Sequence, residues 1–381
     1  MNNTPPRLFF DLDLRVIRDL YFQVCKMCLR KAFLFIAILA IPLLGYSQDV
    51  GKDDWKIDTS YIENHPEKMN IRMYMSRKYT DFIVRNGPND RIYRFEPNSG
   101  LNLGLGFTYQ KFTLNLAFPV AFLNPDRIKD WPGFLDLQSH IYPRRWIIDL
   151  FGQFYRGYTV DPSFLQSTDE RYLREDIRLM LLGVNANYLF RGERISLSAA
   201  YNQSSIQKKS GFSPFVGFET YGGFMKGDSL FLPVEENVAN LNFSQANYFQ
   251  FGPNAGLASS LVFGKGFFFT AVASANLSLG FSDWQNVEKF KRWGVVPTYF
   301  LRGFFGYNGE RFALNANYVW KNLNLVPNES FDQAINTGNF RINLIYKITP
   351  SEKFKTKYNK YNPAVFISRW VKPKESKTTA N

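Results

Sequence analysis

Residues 101–122 read LNLGLGFTYQKFTLNLAFPVAF, and the parity of this stretch decides the fold. Leu101, Leu103, Leu105, Phe107 and Tyr109 alternate with Asn102, Gly104, Gly106, Thr108 and Gln110. After Gln110-Lys111 the phase flips, and Phe112, Leu114, Leu116, Phe118, Val120 and Phe122 become the apolar set. Successive side chains of a strand point to opposite faces, so a two-residue turn that pairs Tyr109 with Phe112 puts both apolar rows on one side of a hairpin. The other side holds Asn, Gly, Thr and Ala, with Lys and Glu nearly absent. A soluble sheet would turn charge toward water there.

The same period recurs along the chain. Met180 to Phe190, Ile195 to Tyr201 after an RGER turn, Phe249 to Phe263 and Phe267 to Phe281 after GKG all alternate, and so do Phe312 to Trp320 and Phe340 to Tyr346. Their polar partners are mostly Asn, Ser, Thr and Gly, the mark of a period-2 protein. With 381 residues, 45% hydrophobic and 17% aromatic, the chain is long enough for one large β domain.

Turn lengths alternate as well. Short turns fall at Gln110-Lys111, Tyr142 to Arg145, Arg191 to Arg194, Gly264 to Gly266 and Asn308 to Glu310; long polar connections fall near 87–99, 123–133, 160–175, 204–246, 282–292 and 326–335. Short turns at one end and long loops at the other are the habit of transmembrane barrels. The expectation is an all-β, antiparallel up-and-down barrel in an outer membrane, over residues 79–349. It has about twelve strands, the first near Tyr79 to Arg85, or fourteen if residues 211–236 form another pair. Lipid tolerates the apolar rows, and a narrow lumen takes small polar side chains. A soluble barrel of lipocalin type would need charged outer faces, which these rows lack. Trp146, Trp284, Trp293 and Trp320 fall at strand ends, where an interfacial aromatic girdle is expected.

The N-terminus carries its own signal. From Met27, Arg30 and Lys31 precede an apolar run from Ala32 to Leu44 and a small-residue site at Gly45-Tyr46-Ser47. This is the layout of a cleaved secretory signal over 27–47, too short to span a membrane. Residues 1–26 form an upstream extension, and 48–78 a periplasmic segment. Cys25 and Cys28 have CxxC spacing but sit in the discarded part, so no redox function is expected.

The net charge of +13 raises the question of nucleic acid. No groove-sized basic cluster supports it, and an exported protein meets little nucleic acid. The densest basic stretch is the tail over 350–381, including Lys353, Lys355, Lys357, Lys360, Arg369, Lys372, Lys374 and Lys377. A solvated tail and one that contacts an anionic envelope polymer are both open readings. The expected partners of the barrel are membrane lipids and lipopolysaccharide.

Several motifs also carry a resemblance. Asp58-Thr59-Ser60-Tyr61-Ile62, Arg72, SRKYTDF at 76–82 and Glu96-Pro97-Asn98 leading into LGLGFTY resemble the exported Bacteroidota proteins of domain-of-unknown-function family 4421. Tyr155-Arg156-Gly157-Tyr158 and Phe251-Gly252-Pro253-Asn254 add to it. The likeness covers roughly residues 58 to 349 and implies an outer-membrane barrel; it brings no activity and no catalytic residues.

Chemistry is sparse. Of two histidines, His65 lies in the polar IENHPEK segment, while His140 points to the lumen with Asp136 and Gln138. A four-residue turn at Tyr142 to Arg145 would set Gln138 opposite Asp149 and His140 diagonally near it. Such a pair could orient a general base for a lipid-modifying enzyme of phospholipase or acyltransferase type. No serine is placed as nucleophile on that face, so a non-enzymatic pore, transporter or scaffold is the leading expectation. Asp136, Gln138, His140, Asp149, Arg302 and Arg341 are then candidates for a lumenal polar network. No metal-spaced cluster or nucleotide fingerprint is visible, and no cofactor is expected.

Overall fold

The computed structural model describes residues 57–361 except 87–90, 110–111, 126, 129–133, 143–144, 166–167, 234–242, 286–289 and 328–330. The upstream extension, the signal segment, both cysteines, the Gln110-Lys111 turn and the tail beyond residue 361 lie outside the described residues. The barrel belongs to a unit spanning Lys56–Pro350.

Its strands, in order, are β1 (Ile62–Asn64), β2 (Met69–Asn86), β3 (Arg91–Pro97), β4 (Asn102–Tyr109), β5 (Phe112–Pro119), β6 (Leu135–Ile141), β7 (Trp146–Val160) and β8 (Tyr172–Leu189). A short helix α1 (Leu197–Tyr201) follows, then β9 (Ser205–Gln207), β10 (Gly211–Lys226), β11 (Gln245–Phe263), β12 (Phe267–Gln285), β13 (Phe290–Asn308), β14 (Phe312–Asn324) and β15 (Phe331–Ile348). A helix α2 (Glu352–Tyr361) lies in the other unit.

Antiparallel ladders run β2–β15–β14–β13–β12–β11–β10–β8–β7–β3 and return from β3 to β2, closing a ring of ten strands. Three more strands belong to the same sheet outside that ring. β3 and β4 share one edge of β2: β3 pairs with residues 82–86, β4 with residues 69–76. On β7, the end nearest Val160 pairs with β3, while residues 148–154 pair with β6. β4 continues to β5, and no ladder joins β5 to β6 among the described residues. The long-loop half of the wall is therefore a closed ring. In the short-turn half β5 extends the wall from β4 and β6 extends it from β7, and the two leave an unjoined seam between them.

This corrects the expected count of about twelve. Where an extra pair was one expectation over residues 211–236, the described residues hold a single strand, β10, over 211–226. The first barrel strand starts at Met69, not near Tyr79, and residues 282–285 and 290–292 of an expected loop are strand. The run Ile195 to Tyr201, expected as a strand, instead contains α1, with the Ser196 hydroxyl accepting from the Ala199 backbone as an N-cap.

The outer faces are apolar and open. Leu103, Leu116, Leu182 and Leu277 are all exposed, Leu277 by 61%, in a band that also includes Leu105, Leu257, Val295, Leu314 and Leu344. Soluble monomers rarely expose a contiguous patch of this size. The inner rows pack against one another. Gly104 is glycine because the Tyr74 ring lies flat on it, and a Cβ there would sit 2.2 Å from that ring. At Gly157 a positive φ of 85° marks the bulge where β7 changes partner from β6 to β3. The Tyr155-Arg156-Gly157-Tyr158 and Glu96-Pro97-Asn98 motifs meet at this point: Pro97 pairs with Tyr158, and the Asn98 amide donates to Gly157 at 3.3 Å.

Candidate functional site

The lumen is the candidate site, and it is filled at three levels. At the short-turn end, the segment between β8 and β10 folds inward. α1 packs with Ala200 and Tyr201 against Phe268 and Phe304, and β9 pairs with β1 across the mouth. Lumenal amides hold this plug by its carbonyls. Asn308 donates to Ala199 (3.2 Å) and Ser205 (2.9 Å), Asn315 to Ala200 (2.8 Å), and Asn70 to Asn202 (3.0 Å) and Gln203 (3.1 Å). A short helix exposes carbonyls that its own ladder cannot satisfy, so rows of asparagine suit a wall that must bind a plug.

At mid-height, charged side chains cross the lumen in pairs. Asp149 shares a 2.7 Å contact with His140 Nδ1, accepts from Asn185 at 3.1 Å, and is ion-paired with Arg302 from the facing wall. The Arg302 guanidinium stacks on Phe300 at 4.1 Å and reaches the Tyr142 hydroxyl. Lys321 donates to Glu219 and to the Tyr221 hydroxyl, both at 2.6 Å, while Thr298 donates to the other Glu219 oxygen at 2.6 Å. Asp149, Glu219 and Lys321 are all buried. A buried charge left single would cost far more than these pairs gain, so each carboxylate is matched from the opposite wall.

A second cluster surrounds Asp136. Its carboxylate accepts from Lys78 (3.2 Å), Gln138 (3.2 Å), Gln153 (3.0 Å) and Tyr155 (2.6 Å). Gln153 in turn bonds Thr337, which meets Thr80. At the long-loop end, Phe231, Phe243, Phe82, Phe95, Trp284 and Phe331 form an aromatic core. Arg174 anchors the covering loop by donating to the carbonyls of Ser229, Leu230 and Phe231.

Asp136, Gln138, His140, Asp149 and Arg302 thus all face the lumen, in two clusters rather than one. His140 stands directly opposite Asp149, not diagonal to it, because the connection closed by the Ile141–Ile148 pair is two residues longer, on the β7 arm, than the turn expected from sequence; Gln138 pairs with Phe151. Arg341 joins neither cluster and lies over the Tyr74 ring at 4.5 Å. Of the expected girdle, Trp146 and Trp293 are on the exposed face, and Trp320 is half-buried. Trp284 corrects the expectation. Its even position in β12 turns it inward, where it is 1% exposed and packs on Phe331. Glu219 and Lys321 carry no signal in the sequence motifs, and Arg72 enters there only as part of the family resemblance; strand parity turns both Arg72 and Lys321 inward, where they are buried.

No hydroxyl of serine or threonine bonds His140 among the described residues, and its Nε2 has no partner. Nor do the described residues hold a group of three metal-ligating side chains.

No curated protein matches the chain. Among solved structures, it is similar to the outer-membrane protease OmpT of Escherichia coli, at 10% identity and a TM-score of 0.33, covering 75% of this chain and 98% of that one. It is also similar to the β domain of the Bordetella autotransporter BrkA (11% identity, TM-score 0.31, 72% and 98% covered) and to the P. putida toluene transporter TodX (6%, 0.25, 75% and 92%). TM-scores this low carry no argument about what this chain does. The sequence itself is decisive at the level of family: the model of the domain of unknown function DUF4421 matches residues 56–348, and the chain belongs to that family.

Proposed function

We propose that the protein is an exported outer-membrane β-barrel that its own chain plugs, acting as a scaffold or ligand-holding element without catalysis. The observation that carries this reading is the lumen. Its short-turn mouth holds α1 and β9, ion pairs cross its middle, and an aromatic core fills its far end. The exposed apolar band supports placement in a bilayer, where a barrel turns its apolar row to lipid. Export through a signal segment at 27–47, with Gln48 at the mature N-terminus, belongs to the same reading.

Against the lipid-enzyme alternative stands the surrounding of His140: its side chain is buried beside Asp149 and Tyr201, with no nucleophile bonded to it among the described residues. Planar-bilayer recording of the purified, folded protein tests the proposal. A closed barrel gives no steady unitary current. A stable, ion-selective conductance would assign it to the pores instead.

A further inference from the structure

The short-turn half of the lumen holds cations that no carboxylate answers. Arg302, Lys321 and Lys78 each have an acidic partner. Among the described residues Arg72, buried, donates only to neutral groups: Thr108 at 2.7 Å, Asn115 at 3.5 Å and the Asn202 carbonyl at 3.4 Å. Arg341 is 8% exposed, and its guanidinium makes no hydrogen bond or ion pair among the described residues; its Nε is buried and unpaired. The Tyr74 ring lies against it at 4.5 Å, and its charge repels that of Arg72. Two buried guanidiniums that repel each other across neighbouring strands, one of them unpaired, form an arrangement that stabilises the empty protein poorly and an anion well.

The wall beside them is open. β5 and β6 present facing edges that no ladder joins. The inward-facing Thr113 and Ala117 of β5 are exposed, unlike inner rows elsewhere in the barrel, and Ala117 is paired with Gly104, on which the Tyr74 ring rests. At the upper limit of the opening, Lys78 of β2 reaches Asp136 of β6, bonding both its carbonyl (2.9 Å) and its carboxylate (3.2 Å). Unpaired strand edges persist at membrane depth only where they line a wet or occupied space. The outer surface of the same hairpin is strongly apolar, with Leu105, Leu116 and Phe118 exposed by 53–67%.

We propose that the opening between β5 and β6 leads to a lumenal site for the anionic headgroup of a single-chain membrane amphiphile, a long-chain carboxylate. The head sits between Arg72 and Arg341, on the Tyr74 ring, and the chain leaves sideways between β5 and β6 into the bilayer. Arg341 supplies the free donors, and Arg72 exchanges its long Asn115 contact for the ligand. Gly104 and Gly106 keep the inner face of β4 low enough for the Tyr74 ring and the Arg72 stem to lie across it. The site rests on the membrane placement argued above but not on the plug, so a conductance result leaves it standing.

The test is binding of the fluorescent long-chain carboxylate cis-parinaric acid to delipidated, folded protein, with acetate and inorganic phosphate as competitors. Saturable binding is expected, weakened at least tenfold by Arg341→Gln and by Ala117→Trp, which fills the opening. Acetate and phosphate compete only weakly if the chain contributes. Effective competition by phosphate would replace the amphiphile with a free anion and overturn the proposal. Arg341→Gln also relieves an unpaired charge, so the ligand-free variant unfolds at a denaturant concentration no lower than wild type; this shows that lost binding is not lost folding. Binding that survives both substitutions, or a wild type that binds no carboxylate at all, also overturns it.

Discussion

His140 on β6 and Asp149 on β7 are direct cross-strand partners, with His140 Nδ1 2.7 Å from Asp149 Oδ1. The second oxygen of the same carboxylate takes Asn185 of β8 and Arg302 of β13. One aspartate therefore ties four strands, two of them on opposite walls. Asp149→Asn leaves Arg302 buried without a counter-charge and is expected to cost ~3–5 kcal/mol of stability. Asp149→Asn with Arg302→Met should cost clearly less than the two single substitutions added together. Urea unfolding of the reconstituted protein, run as a double-mutant cycle, reads the coupling; simple additivity would deny it.

Gly104 lies beneath the Tyr74 ring. Gly104→Ala forces that ring aside at a cost of ~1–3 kcal/mol, the usual range for overpacking. Adding Tyr74→Ala should remove most of the penalty that Gly104→Ala causes by itself. If Gly104→Ala is as harmful without the ring as with it, the packing explanation fails.

The plug depends on lumenal asparagines. Asn308→Ala and Asn315→Ala each strip buried carbonyls of α1 and its flanks of a donor, at ~1–3 kcal/mol per group left unpaired. Hydrogen exchange over residues 197–207 should accelerate in both variants, while β11 and β12 stay protected. Exchange rising equally across the barrel would mean that the plug and wall unfold together.

The wall is legible in period 2 because its outward rows are apolar and its inward rows pack, whatever the partner strand. What depends on long-range pairing is not. Ile195, Leu197, Ala199 and Tyr201 alternate as a strand would, yet Ser196 caps a helix there and the lumen supplies the surface that buries it. Trp284 was placed by its nearness to a strand end, although its parity in β12 points inward. The His140–Asp149 partnership was legible as proximity, but not its register, because the length of the β6–β7 connection fixes it. The seam between β5 and β6 is written in no local pattern; it follows from β3 and β4 sharing one edge of β2.

Charge placement separates the two faces. Leu277→Arg, on the exposed row of β12, is expected to cost ~2–4 kcal/mol near the bilayer midplane. Thr113→Arg, on the exposed inner face of β5, should be milder, since that side chain already stands in open space. Equal damage at both positions would contradict the assignment of faces.

The most direct test is a spin-label scan of β12 in lipid bilayers, with single cysteines from Phe269 to Phe281 read by collision with oxygen and with a polar nickel reagent. The expected result is a period of two: Phe269, Leu277, Leu279 and the other odd positions collide with oxygen, while Thr270, Asn276, Ser278 and the other even positions are shielded. Oxygen accessibility without alternation, or maximal at the even positions, would contradict a lipid-facing barrel with a packed lumen.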